Sequence, residues 1–100
     1  MDDHEINKRL AEIAGVYAVE CPVSGSLLFR PKPDAQHVEW HPLTDWSQLK
    51  PLTKRENIRI APNPDASDWW RAWKIGCAHA DSLSLKRAIS MAIIAAHAEG

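Results

Sequence analysis

One hundred residues supply one domain with a single modest core and are too few for two. A 45% hydrophobic and 25% charged composition is that of an ordinary soluble globular protein. Twelve basic residues against thirteen acidic ones leave a net charge of −1, which demands neither nucleic acid nor an anionic membrane as partner.

The chain opens on "MDDHEINKRL", which is acidic and lacks the apolar run of a signal peptide. The longest nearly apolar stretch, "AISMAIIAA", is far short of a membrane span. Two cysteines, Cys21 and Cys77, allow one bridge at most, so the expectation is a cytoplasmic protein with free thiols. Charge is unevenly spread. Asp2, Asp3, Glu5, Glu12 and Glu20 outnumber Lys8 and Arg9 near the start, while Lys50, Lys54, Arg55 and Arg59 surround Glu56 in the middle.

The first element is a helix. Asp2 or Asp3 can cap it, Glu5 suits its positive end, and Ile6, Leu10, Ile13 and Ala14 share one face until Gly15 stops it. Val16 to Glu20 and Ser26 to Arg30 read as short strands separated by Pro22 and Ser24-Gly25. "RPKPD" then breaks regular structure. Thr44 or Asp45 can cap one or two helical turns over "DWSQLK", with Gln48 placed to return the capping bond and Pro51 keeping the helix brief.

"NIRIA" (57–61) alternates as a strand does and ends at "PNPDAS". "WWRAWKIGC" (69–77) is the strongest strand candidate. Its alternation puts Trp69, Arg71, Trp73, Ile75 and Cys77 on one face and Trp70, Ala72 and Lys74 on the other, with Trp69 or Trp73 expected in the core. A last helix follows, capped by Asp81, Ser82 or Ser84, with a stripe of Leu85, Ile89, Ala92, Ile93 and Ala96. The order predicts a single α+β domain over residues 1–100: a small antiparallel β-sheet, an N-terminal and a C-terminal helix packed on it, and a short helix in the central connection.

Chemistry is sparse. His37, His41, Cys77, His79 and Cys21 supply zinc-type ligands, but their spacing follows no common zinc pattern, and surface histidines with a buried cysteine are the plainer account. No nucleophile elbow, phosphate loop or carboxylate pair stands out, so neither an enzyme nor a bound cofactor is expected. Lys50, Lys54, Arg55 and Arg59 with Trp46 nearby, or Arg71 and Lys74 among Trp69, Trp70 and Trp73, combine cations with stacking surfaces of the kind nucleic acid uses. The lack of net positive charge leans against a dedicated nucleic-acid binder. Five tryptophans exceed what one small core easily hides, and Trp and Arg dominate protein-interface hot spots. Trp40, Trp46 and Trp70 are the candidates there, with the basic 50–59 segment as a polar rim. Self-association through a sheet edge or the alanine-rich last helix leaves monomer and homodimer both open.

"EINKRLAEIAG", "WHPLTDWSQLKPLTKRENIRI", "DWWRAW" and "LKRAISMAIIAAH" occur in a recognisable order. Together they resemble the small phage and prophage proteins of the NinX-like family, and are similar to proteins with a phage "ABA sandwich" domain. The specific part is Trp40, Pro42, Thr44, Asp45, Trp46, Pro51, Leu52, Lys54, Arg55, Glu56 and Ile58; the departure is Leu49-Lys50, where family members often carry Gly-Gly. The resemblance implies a phage setting and brings no catalytic residues. In that setting, small accessory proteins often bind and inhibit host proteins, restriction and CRISPR machinery included. It therefore implies a host protein as partner, met by an acidic patch of Asp2, Asp3, Glu5 and Glu12. The alternatives are a nucleic-acid-binding accessory protein and a zinc-stabilised structural module.

Overall fold

The computed structural model describes residues 2–98. Helix α1 spans Asp3–Ala14, and the cap is Asp2, whose side chain accepts from the Glu5 N–H at 2.8 Å. Gly15 ends it at φ 73°, and the Val16 N–H reaches back to the Ala11 carbonyl at 2.9 Å, closing the last turn. Strands β1 (Val19–Glu20), β2 (Leu27–Phe29) and β3 (Val38–Glu39) form an antiparallel meander. Its register pairs Val19 with Leu28 and Leu28 with Glu39.

Helix α2 runs Trp46–Arg55, longer than the one or two turns the sequence suggests, and it passes through Pro51. The ring removes only the bond that the exposed Ser47 carbonyl would have received, and water can satisfy that group. Leu49 and Leu52, both buried, pull the helix onward past the proline. Asp45 is the cap, accepting from the Ser47 N–H at 2.9 Å and the Ser47 hydroxyl at 2.6 Å. Gln48 does not return the bond. Its Oε1 accepts from the His41 N–H and its Nε2 donates to the Glu39 carbonyl, both at 2.7 Å, which fastens β3 to α2.

Strands β4 (Arg59–Pro62), β5 (Trp70–Trp73) and β6 (Ala80–Ser82) form a second antiparallel meander. Helix α3, Leu85–Ala98, lies on β5 and β6, with α1 and α2 packed against it. Ser84 caps α3, its hydroxyl accepting from the Arg87 N–H at 3.3 Å, while Asp81 and Ser82 belong to β6. The α+β class and the three helices are as the sequence predicts. The strands divide between two three-stranded sheets; β1, β2, β4 and β5 fall at the four runs marked in the sequence, and β3 and β6 are added by pairing alone.

The expectation that Trp69 or Trp73 fills the core is corrected. Ala72 is fully buried in a row with Ile60 and Ala80, whereas Trp69 is 40% exposed and Trp73 half-buried on the opposite face. The reason is steric. α3 turns Ala88 and Ala92 inward, both fully buried, and helix and sheet approach closely only where small side chains meet. One hydrophobic cluster joins all three helices to both sheets, through Ile6, Leu10, Leu49, Ile89 and Ile93 with Leu27 and Ala72. Among the described residues no helix is long and apolar enough to cross a membrane.

Candidate functional site

The indole-rich central segment divides into a buried anchor and an exposed end. Trp40 is 5% exposed. Its Nε1–H donates to the Asn7 carbonyl at 2.7 Å, and its ring meets Phe29 edge-to-face at 5.3 Å. The Asn7 side-chain oxygen accepts from the Leu43 N–H at 3.3 Å, so one residue of α1 holds both sides of the buried Pro42. Trp40 is therefore not a partner contact. The sequence offered it as a candidate because five tryptophans exceed what a small core easily hides, but Trp40 instead staples this connection to α1.

Trp46 stands differently. It is 39% exposed and lines a shallow cleft with Ser84, Leu85 and Lys86 at the start of α3. Trp70 lies across from Ser82 in the β5–β6 ladder, and the Ser82 hydroxyl accepts from the Ser84 N–H at 3.2 Å. Thus Trp46 and Trp70 flank the connection from β6 to α3. Leu83 at the middle of the connection is 62% exposed, whereas Trp69, next to Trp70 in sequence, belongs to the opposite face of the strand and to the β4–β5 connection, where its backbone N–H donates to the Ala66 carbonyl at 3.3 Å. Reasoning from sequence passed over Leu83. Its signal was present, since position 83 falls off the stripe formed by Leu85, Ile89, Ala92, Ile93 and Ala96.

Three of the four proposed acidic residues reach the same end. Arg87, in the first turn of α3, donates to the Asp3 carboxylate, which brings the start of α1 beside the start of α3. Asp2 and Glu5 lie on the same first turn, Asp2 partly committed to its capping bond. Glu12 sits at the far end of α1, paired with Arg9 at 2.9 Å, and does not join them. The structure thus collects Trp46, Trp70 and Leu83 with Asp2, Asp3 and Glu5 nearby.

Lys54 and Arg55 occupy the opposite end of α2, roughly 13 Å along its axis from Trp46 at 1.5 Å per residue. Arg55 is anchored there, Nη2 donating to the Ile13 carbonyl at 2.7 Å and Nε to Glu56 at 3.3 Å. Glu56, buried, also takes the His97 Nε2 and lies 3.8 Å from the Lys74 ammonium. Burial raises the Glu56 carboxyl, but His97 first, then Lys74 and Arg55, outweigh it and hold the group below the ordinary carboxylate range.

The zinc-type residues do not converge. His37 lines a cleft with Arg30 and Pro31, His41 bonds Thr44 through Nδ1 at 2.8 Å, and Cys21 sits in the β1–β2 turn. Cys77 and His79 do come together, beside Arg71 and Trp73 on the outer face of the second sheet. There Asp81 is taken by Arg71 at 2.9 Å, which holds its carboxyl down and the guanidinium up. Among the described residues no three His, Cys, Asp or Glu side chains form a group able to hold a metal ion, and both cysteines are free.

No family model matches the chain, and no curated protein or solved structure matches it significantly. The geometry of the exposed indoles is accordingly the basis for a functional reading.

Proposed function

We propose that this is a phage- or prophage-encoded cytoplasmic accessory protein that acts without catalysis by binding a host protein, as a defence inhibitor of the anti-CRISPR or anti-restriction kind. The setting rests on the likeness of the central motif to NinX-like proteins. The mode of action rests on one observation: Trp46 and Trp70, each more than a third exposed, flank the β6–α3 connection that carries the 62% exposed Leu83. Large half-open apolar side chains at one end of a small domain are what a docking surface needs, since each indole can bury on the order of 200 Å² on contact. Glu5 and Asp2 on the adjoining first turn of α1, beside Asp3 paired with Arg87, favour a partner with a basic rim, such as a surface that otherwise holds nucleic acid.

Affinity capture from host lysate, with wild type and with Trp70→Ala and Leu83→Ser, tests this. The wild type retains a stoichiometric partner, and each variant weakens it by at least tenfold, as for hot-spot residues. Capture that is equal for all three, or empty in every host, removes the reading. The nucleic-acid alternative calls on the basic 50–59 segment, of which Lys50 lies one turn from Trp46 while Lys54 and Arg55 lie at the far end of α2. A mobility shift at low salt that weakens on Lys54→Ala would revive it.

A further inference from the structure

A second surface, away from the exposed indoles, has the form of a small ligand site. The end of α1, strand β2 and helix α2 enclose an open cleft of about 330 Å³, at the small end of the range for ligand pockets. Its walls are Ala14, Val16, Phe29, Trp40, Pro51 and Leu52, and the Phe29–Trp40 ring pair is rigid because Trp40 is buried and hydrogen-bonded. Three polar residues complete the lining: Ser47, Gln48 and Arg55.

Two of these are already spent. The Gln48 amide uses its oxygen on the His41 N–H and its nitrogen on the Glu39 carbonyl. The Ser47 hydroxyl donates its one hydrogen to Asp45. Arg55 is the exception. It spends one N–H on Glu56 and one on the Ile13 carbonyl, and among the described residues its remaining three N–H groups have no partner. Those two bonds fix the guanidinium without neutralising the site, because Glu56 is shared with Lys74 and His97. One carboxylate between the permanent cations Arg55 and Lys74, with Lys54 adjoining in sequence, leaves this edge of the cleft positive.

An apolar cleft with one fixed, unsatisfied cation and no other available donor selects a molecule with an apolar body and a single anionic head. We infer that the cleft binds a small free carboxylic acid, aliphatic or aromatic, with its carboxylate on Arg55 and its body against Phe29, Trp40 and Leu52. Arg suits this role because its planar fork matches a carboxylate. This site is independent of the proposed host-protein surface, and loss of one leaves the other standing.

The test is a chemical-shift titration of the ¹⁵N-labelled protein with butanoate, hexanoate and octanoate, and with octanamide as the uncharged control. Octanoate is expected to move the amides of Val16, Phe29 and Leu52, the Trp40 indole N–H and the Arg55 Nε–H. Affinity rises by up to about fourfold per added methylene. Octanamide binds at least tenfold more weakly, and Arg55→Gln, checked for folding by its thermal melt, removes that preference.

No shift at millimolar octanoate overturns the inference, as does equal binding of octanamide by the wild type, which needs no variant to fold. It also falls if the same signals move with protein concentration alone, which would make the cleft a contact between copies of this chain. A short peptide with an apolar C-terminal residue that binds more tightly than any free acid would assign the cleft to a protein terminus instead.

Discussion

At the scale of single residues, Trp40 and Glu56 carry more of the fold than their positions in the sequence suggest. Trp40 combines a buried ring, an edge-to-face contact and a hydrogen bond to α1. Trp40→Ala should cost about 3–5 kcal/mol and Trp40→Phe, which keeps most of the area but loses the N–H, roughly 1–2 kcal/mol, read from urea unfolding midpoints. A loss below 1 kcal/mol for the alanine variant would show that the staple is dispensable. Glu56 should show its role in acid. Its folded-state carboxyl lies below the ordinary range, so its contribution is complete above the unfolded-state value of about 4.3 and disappears as pH falls through the lower folded value. Stability measured from pH 7 down to pH 3 should therefore fall more steeply for wild type than for Glu56→Gln, the two curves converging in acid. At neutral pH the variant should be weaker by about 1–2 kcal/mol, because its partners Arg55, Lys74 and His97 are partly solvated. Parallel curves would deny the carboxylate any linkage to folding.

At the scale of elements, Pro51 gives the sharpest result. A helix interior normally loses about 3 kcal/mol to proline relative to alanine. Pro51→Ala restores a donor to the Ser47 carbonyl and should raise the thermal midpoint, offset in part by the greater freedom of the unfolded chain. A lower midpoint would mean that the ring itself packs usefully against the cleft it lines. The same helix shows how far the sequence could be read. Asp2, Gly15, Asp45 and Ser84 were legible as caps because capping chemistry is local. The length of α2 was not legible, because it depends on Leu49 and Leu52 finding partners distant in sequence. Gln48 likewise satisfied a local rule on paper, yet spends its amide on β3, a strand of two residues too short to leave a pattern. The face of β5 was misjudged for a related reason. Indole size argued for burial, but the alanines of α3 decided which side could be approached.

At the scale of the whole molecule, residues split by the sequence into one motif end up at two poles. Trp46 joins Trp70, Leu83 and the first turn of α1, while Lys54 and Arg55 lie at the other end of α2, Arg55 bordering the cleft that runs along the helix. A candidate site listed from sequence order alone merges these poles, because helix length and the return of α3 are needed to separate them. The separation makes a further expectation concrete: Trp70→Ala should leave carboxylate shifts at the cleft unchanged while weakening host-protein capture.

The second sheet is flanked by β4 and β6, and this limits how any partner can meet it. β4 ends in Pro62, which has no amide hydrogen to offer an incoming strand, and β6 is only three residues long. Neither border of this sheet can template a long added strand, which guards it against edge-to-edge growth. Recognition must then be written in side chains, where a single substitution can change the choice of partner without disturbing a backbone ladder.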